Sequence, residues 1–265
     1  MSEVVKLERA GEVAWIWLER PEVHNAFNDE VVAQLGAAID EATRSDARAI
    51  VLGGRGRSFS AGADLNWMKR AGQTTDEDNT ADAARLAAML RQLERASQAT
   101  IARVQGAALG GGLGLISCCD LAIACARATF GFSEVKLGLI PAVISPHAIR
   151  KLGPGRARQL FVTGERFDAA AGERWGLLSR VVEDEAALDV AVQEALGQVL
   201  QNAPGAVAAA KELVRQVRSL PDDDAVDRYT SGQIAAARAS AEGREGIAAF
   251  LEKRDPAWKK SSSSS

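Results

Sequence analysis

Thr100-Ile-Ala-Arg-Val-Gln-Gly-Ala-Ala-Leu-Gly-Gly-Gly-Leu-Gly-Leu115 governs the architecture of this chain. Thr100 to Val104 is apolar and reads as a strand, and Gly110 to Gly112 end the run and open a helix. Glycine lets a backbone approach a ligand closely, and the first amides of a helix have no partner inside it. The stretch is therefore either a tight packing turn or a cradle of N–H groups facing a developing anion. A second segment, Phe59-Ser-Ala-Gly-Ala-Asp-Leu65, has small residues around a turn and can supply another amide. Two such amides converging on one oxygen would make an oxyanion hole.

Strand and helix signals alternate around these segments. Val13 to Leu18, Ala49 to Leu52, Leu121 to Ala124 and Leu178 to Val182 are short apolar runs of strand type. Asn28 is placed to cap a helix that carries Asp29 and Glu30 in its first turn, with Val31, Val32, Leu35, Ile39 and Ala42 at helical spacing. Leu86, Met89, Leu90 and Leu93 mark another helical stripe. Strands alternating with helices predict an α/β fold with parallel pairing. After about Asp184 the strand signals stop. Ala186 to Leu200, Ala206 to Val217, Asp223 to Ala239 and Glu242 to Lys253 all read as helix, punctuated by Pro204 and Pro221. Leu213, Val217, Ile247, Phe250 and Leu251 in this part need a surface to cover them, either the core or another subunit.

Composition narrows the classes. With 265 residues, 47% hydrophobic and 25% charged, the chain resembles a soluble globular protein of one large domain or a domain with an appendage. No apolar stretch nears the roughly 20 residues that span a bilayer. Met1 to Lys6 lacks the regions of a signal peptide, and Cys118, Cys119 and Cys125 read as buried reduced thiols, so a cytoplasmic location is expected. With 32 basic against 35 acidic residues, the balance gives no bulk attraction to nucleic acid. Ser261 to Ser265 reads as a disordered tail.

Few side chains can carry chemistry. His24 and His147 are the only histidines, no metal-binding spacing joins them to the cysteines, and no metal is expected. The G-x-S-x-G, S-x-x-K and Walker patterns are absent. What remains is Glu134, in Phe130-Gly-Phe-Ser-Glu-Val-Lys-Leu-Gly-Leu-Ile-Pro141. Buried beside a cleft, it would have a raised pKa suited to acid–base work. On the surface it would pair with Lys136, which the local sequence favours.

Taken in order, Phe59 to Leu65, Gly106 to Gly112, Cys119-Asp120 and Phe130 to Glu134 together resemble the crotonase, or enoyl-CoA hydratase/isomerase, superfamily. The likeness extends from Val13-Ala-Trp-Ile-Trp-Leu-Glu-Arg-Pro21 through Gly164-Glu-Arg-Phe-Asp168 to Phe250-Leu-Glu-Lys-Arg254. It implies a spiral of ββα turns over residues 1–198, a helical oligomerisation region over 199–260, and a homotrimer or homohexamer. It implies an acyl-CoA thioester as substrate, with no separate cofactor, no metal and no membrane or nucleic-acid partner. The resemblance assigns the oxyanion amides to Ala63 and Gly111 and the acid–base role to Glu134. It lays the CoA moiety along Ala63, Asp64, Leu65, Asn66 and Gly111, and brings Lys253 or Arg254 to the nucleotide phosphates.

One departure stands out. Two-glutamate hydratases of the family carry a glutamate where this chain has Gly114, leaving Glu134 alone. Single-glutamate members include Δ3,Δ2-enoyl-CoA isomerases. Leu137-Gly-Leu-Ile-Pro-Ala-Val-Ile-Ser-Pro146 and Gly112 to Asp120 are similar to bacterial methylglutaconyl-CoA hydratase-like members, with Ile144-Ser-Pro146 replacing a Gly-Gly-Thr-Gln loop. The expectation is reversible hydration of a branched enoyl-CoA, with isomerisation as the alternative and non-catalytic RNA binding as a third reading. Trp67, Met68 and Val143 to Pro146 are expected to wall the acyl pocket, and Ser145 or His147 to assist or to cap.

Overall fold

The computed structural model describes residues 3–259. These fall into two compact units: one runs to Ala96 and again from Thr100 to Glu194, the other holds Ser97–Ala99 and the chain from Ala195 onward. The division falls inside a helix, slightly before the 198/199 boundary expected from the sequence. The serine run from Ser261 lies outside the described residues.

In the larger unit, strands β1 (Val5–Ala10), β2 (Val13–Leu18), β3 (Ala49–Gly54), β4 (Ala99–Val104), β6 (Leu121–Cys125) and β9 (Arg180–Val182) form a six-stranded sheet in the order β1-β2-β3-β4-β6-β9. Within this sheet the β1–β2 hairpin is antiparallel, whereas β2–β3, β4–β6 and β6–β9 run parallel. Every residue of β3 and β4 is buried, which is why these strands read as unbroken apolar runs. Helix α1 (Asp29–Arg44) begins where the Asn28 side chain accepts from the Val31 amide at 2.9 Å. Its apolar stripe, Val31, Val32, Leu35, Ile39 and Ala42, is buried in the core. Helix α3 (Asp76–Glu94) buries Met89, Leu90 and Leu93 of its expected stripe.

A second sheet of three very short strands, β5 (Ala108–Leu109), β7 (Thr129–Gly131) and β8 (Arg166–Asp168), sets the position of everything functional. β5 runs parallel to β7, Ala108 opposite Phe130 and Leu109 opposite Gly131. Helix α4 (Gly111–Cys118) leaves directly from the end of β5, and Gly112 to Cys118 are all buried. The loop after β3 is held by buried amide side chains. Gln105 donates from Nε2 towards the carbonyls of Gly54, Gly56 and Ser58, and Asn25 donates from Nδ2 to those of Arg55 and Ser58.

The smaller unit contains helices α8 (Pro204–Val217), α9 (Asp223–Ala239) and α10 (Ala241–Glu252), with α7 (Glu185–Leu200) leading into it. Neither α8 nor α9 has a buried residue. Ala206, Ala210, Leu213, Ile234 and Ala237 line an apolar groove of about 820 Å³ between them. Phe250 is 82% exposed and Leu251 73%, so within this chain neither is covered.

Gln105→Ala removes the donor shared by three carbonyls at a residue only 1% exposed. It is expected to lower unfolding free energy by about 1–3 kcal/mol. A thermal or urea melt checks this, and an unchanged midpoint contradicts the pinning role.

Candidate active site

The site is built on a backbone seam. The Ser60 amide donates to the Ala107 carbonyl at 3.1 Å and the Leu109 amide to the Ser60 carbonyl at 2.9 Å, so the Phe59–Ala63 loop is paired along the entry to β5. The Phe27 amide donates to the Gly62 carbonyl at 2.7 Å and the Asp64 amide to the Phe27 carbonyl at 2.8 Å. That bridge uses the groups on either side of Ala63 and passes over its own N–H. At the other loop, the Gly110 amide closes the β5–β7 pairing onto the Gly131 carbonyl at 3.0 Å. The next residue, Gly111, starts α4, where no earlier helical carbonyl exists. Among the described residues, neither the Ala63 nor the Gly111 amide has a protein acceptor. The two loops named from sequence are thus adjacent. The choice between packing turn and amide cradle dissolves, because the tight packing is what leaves the two amides over.

Side chains at the seam would force it apart. A Cβ on Gly112 would meet the Ser60 carbonyl at 2.8 Å, and one on Gly111 would meet the Phe27 ring at 2.9 Å. Gly110, at φ 47° and ψ −114°, holds a conformation that L side chains rarely adopt.

Glu134 reaches this seam through strand pairing. It follows β7 by three residues in a 3₁₀ turn, Glu134–Leu137, and β7 lies beside β5. Its Oε1 stands 3.0 Å from where a Gly110 Cβ would be. Its Oε2 is buried without a hydrogen-bond partner among the described residues. Burial raises the carboxyl's pKa above the ordinary 4.5, only partly opposed by its own main-chain amide. No ion pair joins it to Lys136, so the surface reading favoured by the local sequence is overturned. What local sequence lacked was the β5–β7 register, since strands of two and three residues carry no periodicity.

The remaining candidates divide. Asp64 is buried, accepts from the Asn66 and Trp67 amides at 2.9 and 3.3 Å, and pairs with Arg20 at 3.1 Å. Its carboxylate is thereby occupied in starting α2 (Leu65–Ala71), leaving main chain rather than side chain for a ligand. Leu65, the first residue of α2, is 77% exposed. Lys253 belongs to the smaller unit, where it caps α10 in a left-handed conformation, φ 55°. Arg254 is held by Glu245, at 2.6 and 2.9 Å, and by Glu252. Ser145, the first residue of α5 (Ser145–Thr163), donates to the Ala142 carbonyl at 2.8 Å; the N-cap position is Ile144, so no side chain caps this helix. His147 is buried with Nδ1 3.2 Å from Glu94, which also takes Arg150. Trp67 lines a cleft of about 410 Å³ with residues of α1 and α3, and its indole N–H lacks a partner among the described residues. No group of three or more His, Cys, Asp or Glu among the described residues could hold a metal ion. None of their helices is long and apolar enough to cross a membrane.

Sequence reasoning missed Asn25, Phe27 and Gln105, which shape the seam. The one available signal was Asn25 itself: it follows His24 in the left-handed region, both at φ 55°, where asparagine is the most tolerant non-glycine residue.

Two paired loops that leave two amides without acceptors, with one carboxylate held beside them on an α/β core, can receive an anionic oxygen and move a proton next to it. The profile of the enoyl-CoA hydratase/isomerase family matches residues 8–261, and the chain belongs to that family, the crotonases. A solved enoyl-CoA hydratase from Shewanella pealeana is 40% identical, covers 96% of each chain and superposes with a TM-score of 0.93. The Short-chain-enoyl-CoA hydratase of Clostridium acetobutylicum is 32% identical over 94% of this chain and 95% of its own. The Carnitinyl-CoA dehydratase of Salmonella arizonae is 35% identical over 98% and 99%.

Because the folded state raises the Glu134 pKa, it holds the proton more tightly than the unfolded chain does. Stability then falls as pH climbs from 4.5 through the raised value. Glu134→Gln is expected to melt no lower than the parent at neutral pH, with the difference closing as pH falls below 4.5. Melting curves across pH check this. A variant less stable than the parent at neutral pH contradicts a desolvated carboxylate.

Proposed function

We propose that this protein reversibly adds water to the double bond of an enoyl-CoA thioester, with a branched, methylglutaconyl-like acyl group. The observation that carries this reading is the Glu134 carboxylate resting against Gly110, one residue from an unpaired amide. The thioester oxygen would accept from the Ala63 and Gly111 amides. Water then bonds to C3 as Glu134 takes its proton, and the C2–C3 π electrons move towards C1 as an enolate. The charge arriving on oxygen is stabilised by the two amides and by the N-terminus of α4. Glu134 returns the proton to C2, restoring the carboxylate and completing addition. A desolvated carboxyl with a raised pKa is suited to both halves of this exchange.

In this reading CoA lies along the main chain of Asp64, Leu65 and Asn66, with Lys253 of an adjacent subunit meeting nucleotide phosphate. CoA is part of the substrate, and no further cofactor enters. The groove between α8 and α9 and the uncovered Phe250 and Leu251 are surfaces that a homotrimer or homohexamer would cover, and the three buried cysteines, none in a disulfide, suit the cytoplasm.

Position 114 is glycine, so only one carboxylate serves the reaction. That favours a second reading, in which Glu134 takes a proton from C2 of a 3-enoyl-CoA and returns it to C4. Incubating the protein with 3-methylglutaconyl-CoA and, separately, with a 3-enoyl-CoA distinguishes the two by product. The hydrated thioester is expected from the first, and a conjugated 2-enoyl product alone, from the second, contradicts hydration. Glu134→Gln is expected to cut turnover about 100-fold or more. An undiminished rate removes Glu134 from the chemistry.

A further inference from the structure

Gly110 precedes the first residue of α4, and its carbonyl accepts from the Gly114 amide at 3.2 Å, so the two glycines stand one turn apart. The Glu134 carboxylate stands over the first of them. Over the second stands Ile144, the residue before α5, only 3% exposed. A Cβ built on Gly114 would lie 2.5 Å from Ile144 Cγ2 and 3.2 Å from Ile144 Cβ, with Leu90 Cδ1 at 3.6 Å. Contacts under 3 Å are not accommodated by real Cβ atoms unless something shifts. The space that a side chain at 114 would take is already filled by a branched one arriving from another element.

We propose that Gly114 and Ile144 form one packing pair, and that Ile144 is a specificity-determining residue for the acyl group. Its γ-methyl keeps any second carboxylate from the ground beside Glu134 and makes that ground apolar. An alkyl substituent on the double bond gains contact there, whereas a polar or absent substituent does not. The pair explains why a single acid is compatible with a tightly packed site: the place of a partner acid is occupied by hydrocarbon. This inference rests on the enoyl-CoA reading for its substrate half and on packing alone for its steric half.

A double-mutant cycle and a pair of thioesters differing by one methyl group test both halves. Gly114→Ala alone is expected to lower the melting temperature, and less so when Ile144→Ala is also present, so that the double variant is more stable than the two single effects predict. For catalysis, the ratio of kcat/KM for 3-methylglutaconyl-CoA over glutaconyl-CoA is the readout. Ile144→Ala is expected to reduce that ratio about tenfold, the scale of a methyl contact in an apolar pocket. Ile144→Val keeps Cγ2 and is expected to hold the ratio near the parent's. A lower melting temperature in Ile144→Ala with an unchanged ratio overturns the specificity role and leaves Ile144 a filler. Additive melting effects overturn the packing pair. A parent that turns over neither thioester overturns the specificity role together with the enoyl-CoA reading, while the melting cycle, needing no substrate, still decides the pair.

Discussion

Two main-chain hydrogen bonds between Ser60 and the 107–109 segment, at 2.9 and 3.1 Å, are the constraint on which the rest hangs. They draw two loops from distant parts of the sequence so close that side chains have no room at Gly111 or Gly112. Regular pairing then ends one residue early on each side. The Phe27 bridge bypasses Ala63, and β5 hands over to α4 at Gly111. Ala63 and Gly111 are half-buried, and a main-chain donor without an acceptor costs free energy to the extent that it is shut off from water. The two amides persist here because the surrounding pairing and the Phe27 ring leave the backbone no alternative, and a ligand oxygen can supply what the protein does not.

The carboxylate follows the same logic. Glu134 is not drawn to the seam by a cation; the β5–β7 register carries it there. Its environment raises its proton affinity through desolvation rather than through a neighbouring charge. A fold optimised for stability alone would put a neutral residue at this position, and such a conflict with local stability is what a residue kept for its chemistry would show. Asn25 and Gln105 hold the loops of the seam with buried hydrogen bonds and Arg20 with a half-buried one, so the seam depends on side chains outside the two loops.

Much of this was legible in the residues. The Asn28 cap, the α1 and α3 stripes, the buried strands β2, β3, β4 and β6 and the C-terminal helices all announce themselves by spacing and composition. The glycine run marked α4 and the amide-bearing loop with it. β1 and α5 went unread, and the three strands nearest the site stayed hidden for a cause of their own. β5, β7 and β8 are two or three residues long, and what places them is pairing with partners far along the chain rather than any pattern within them. Glu134 was misread locally as a partner of Lys136 for the same reason. Ile144 covering Gly114 is likewise invisible until α4 and the start of α5 are brought together.

A crystal structure with a non-reactive enoyl-CoA thioester analogue tests the central claim most directly. The account predicts the thioester oxygen about 2.7–3.1 Å from both the Ala63 and Gly111 amide nitrogens. An analogue bound with that oxygen elsewhere, or those two amides turned to protein acceptors, would contradict it.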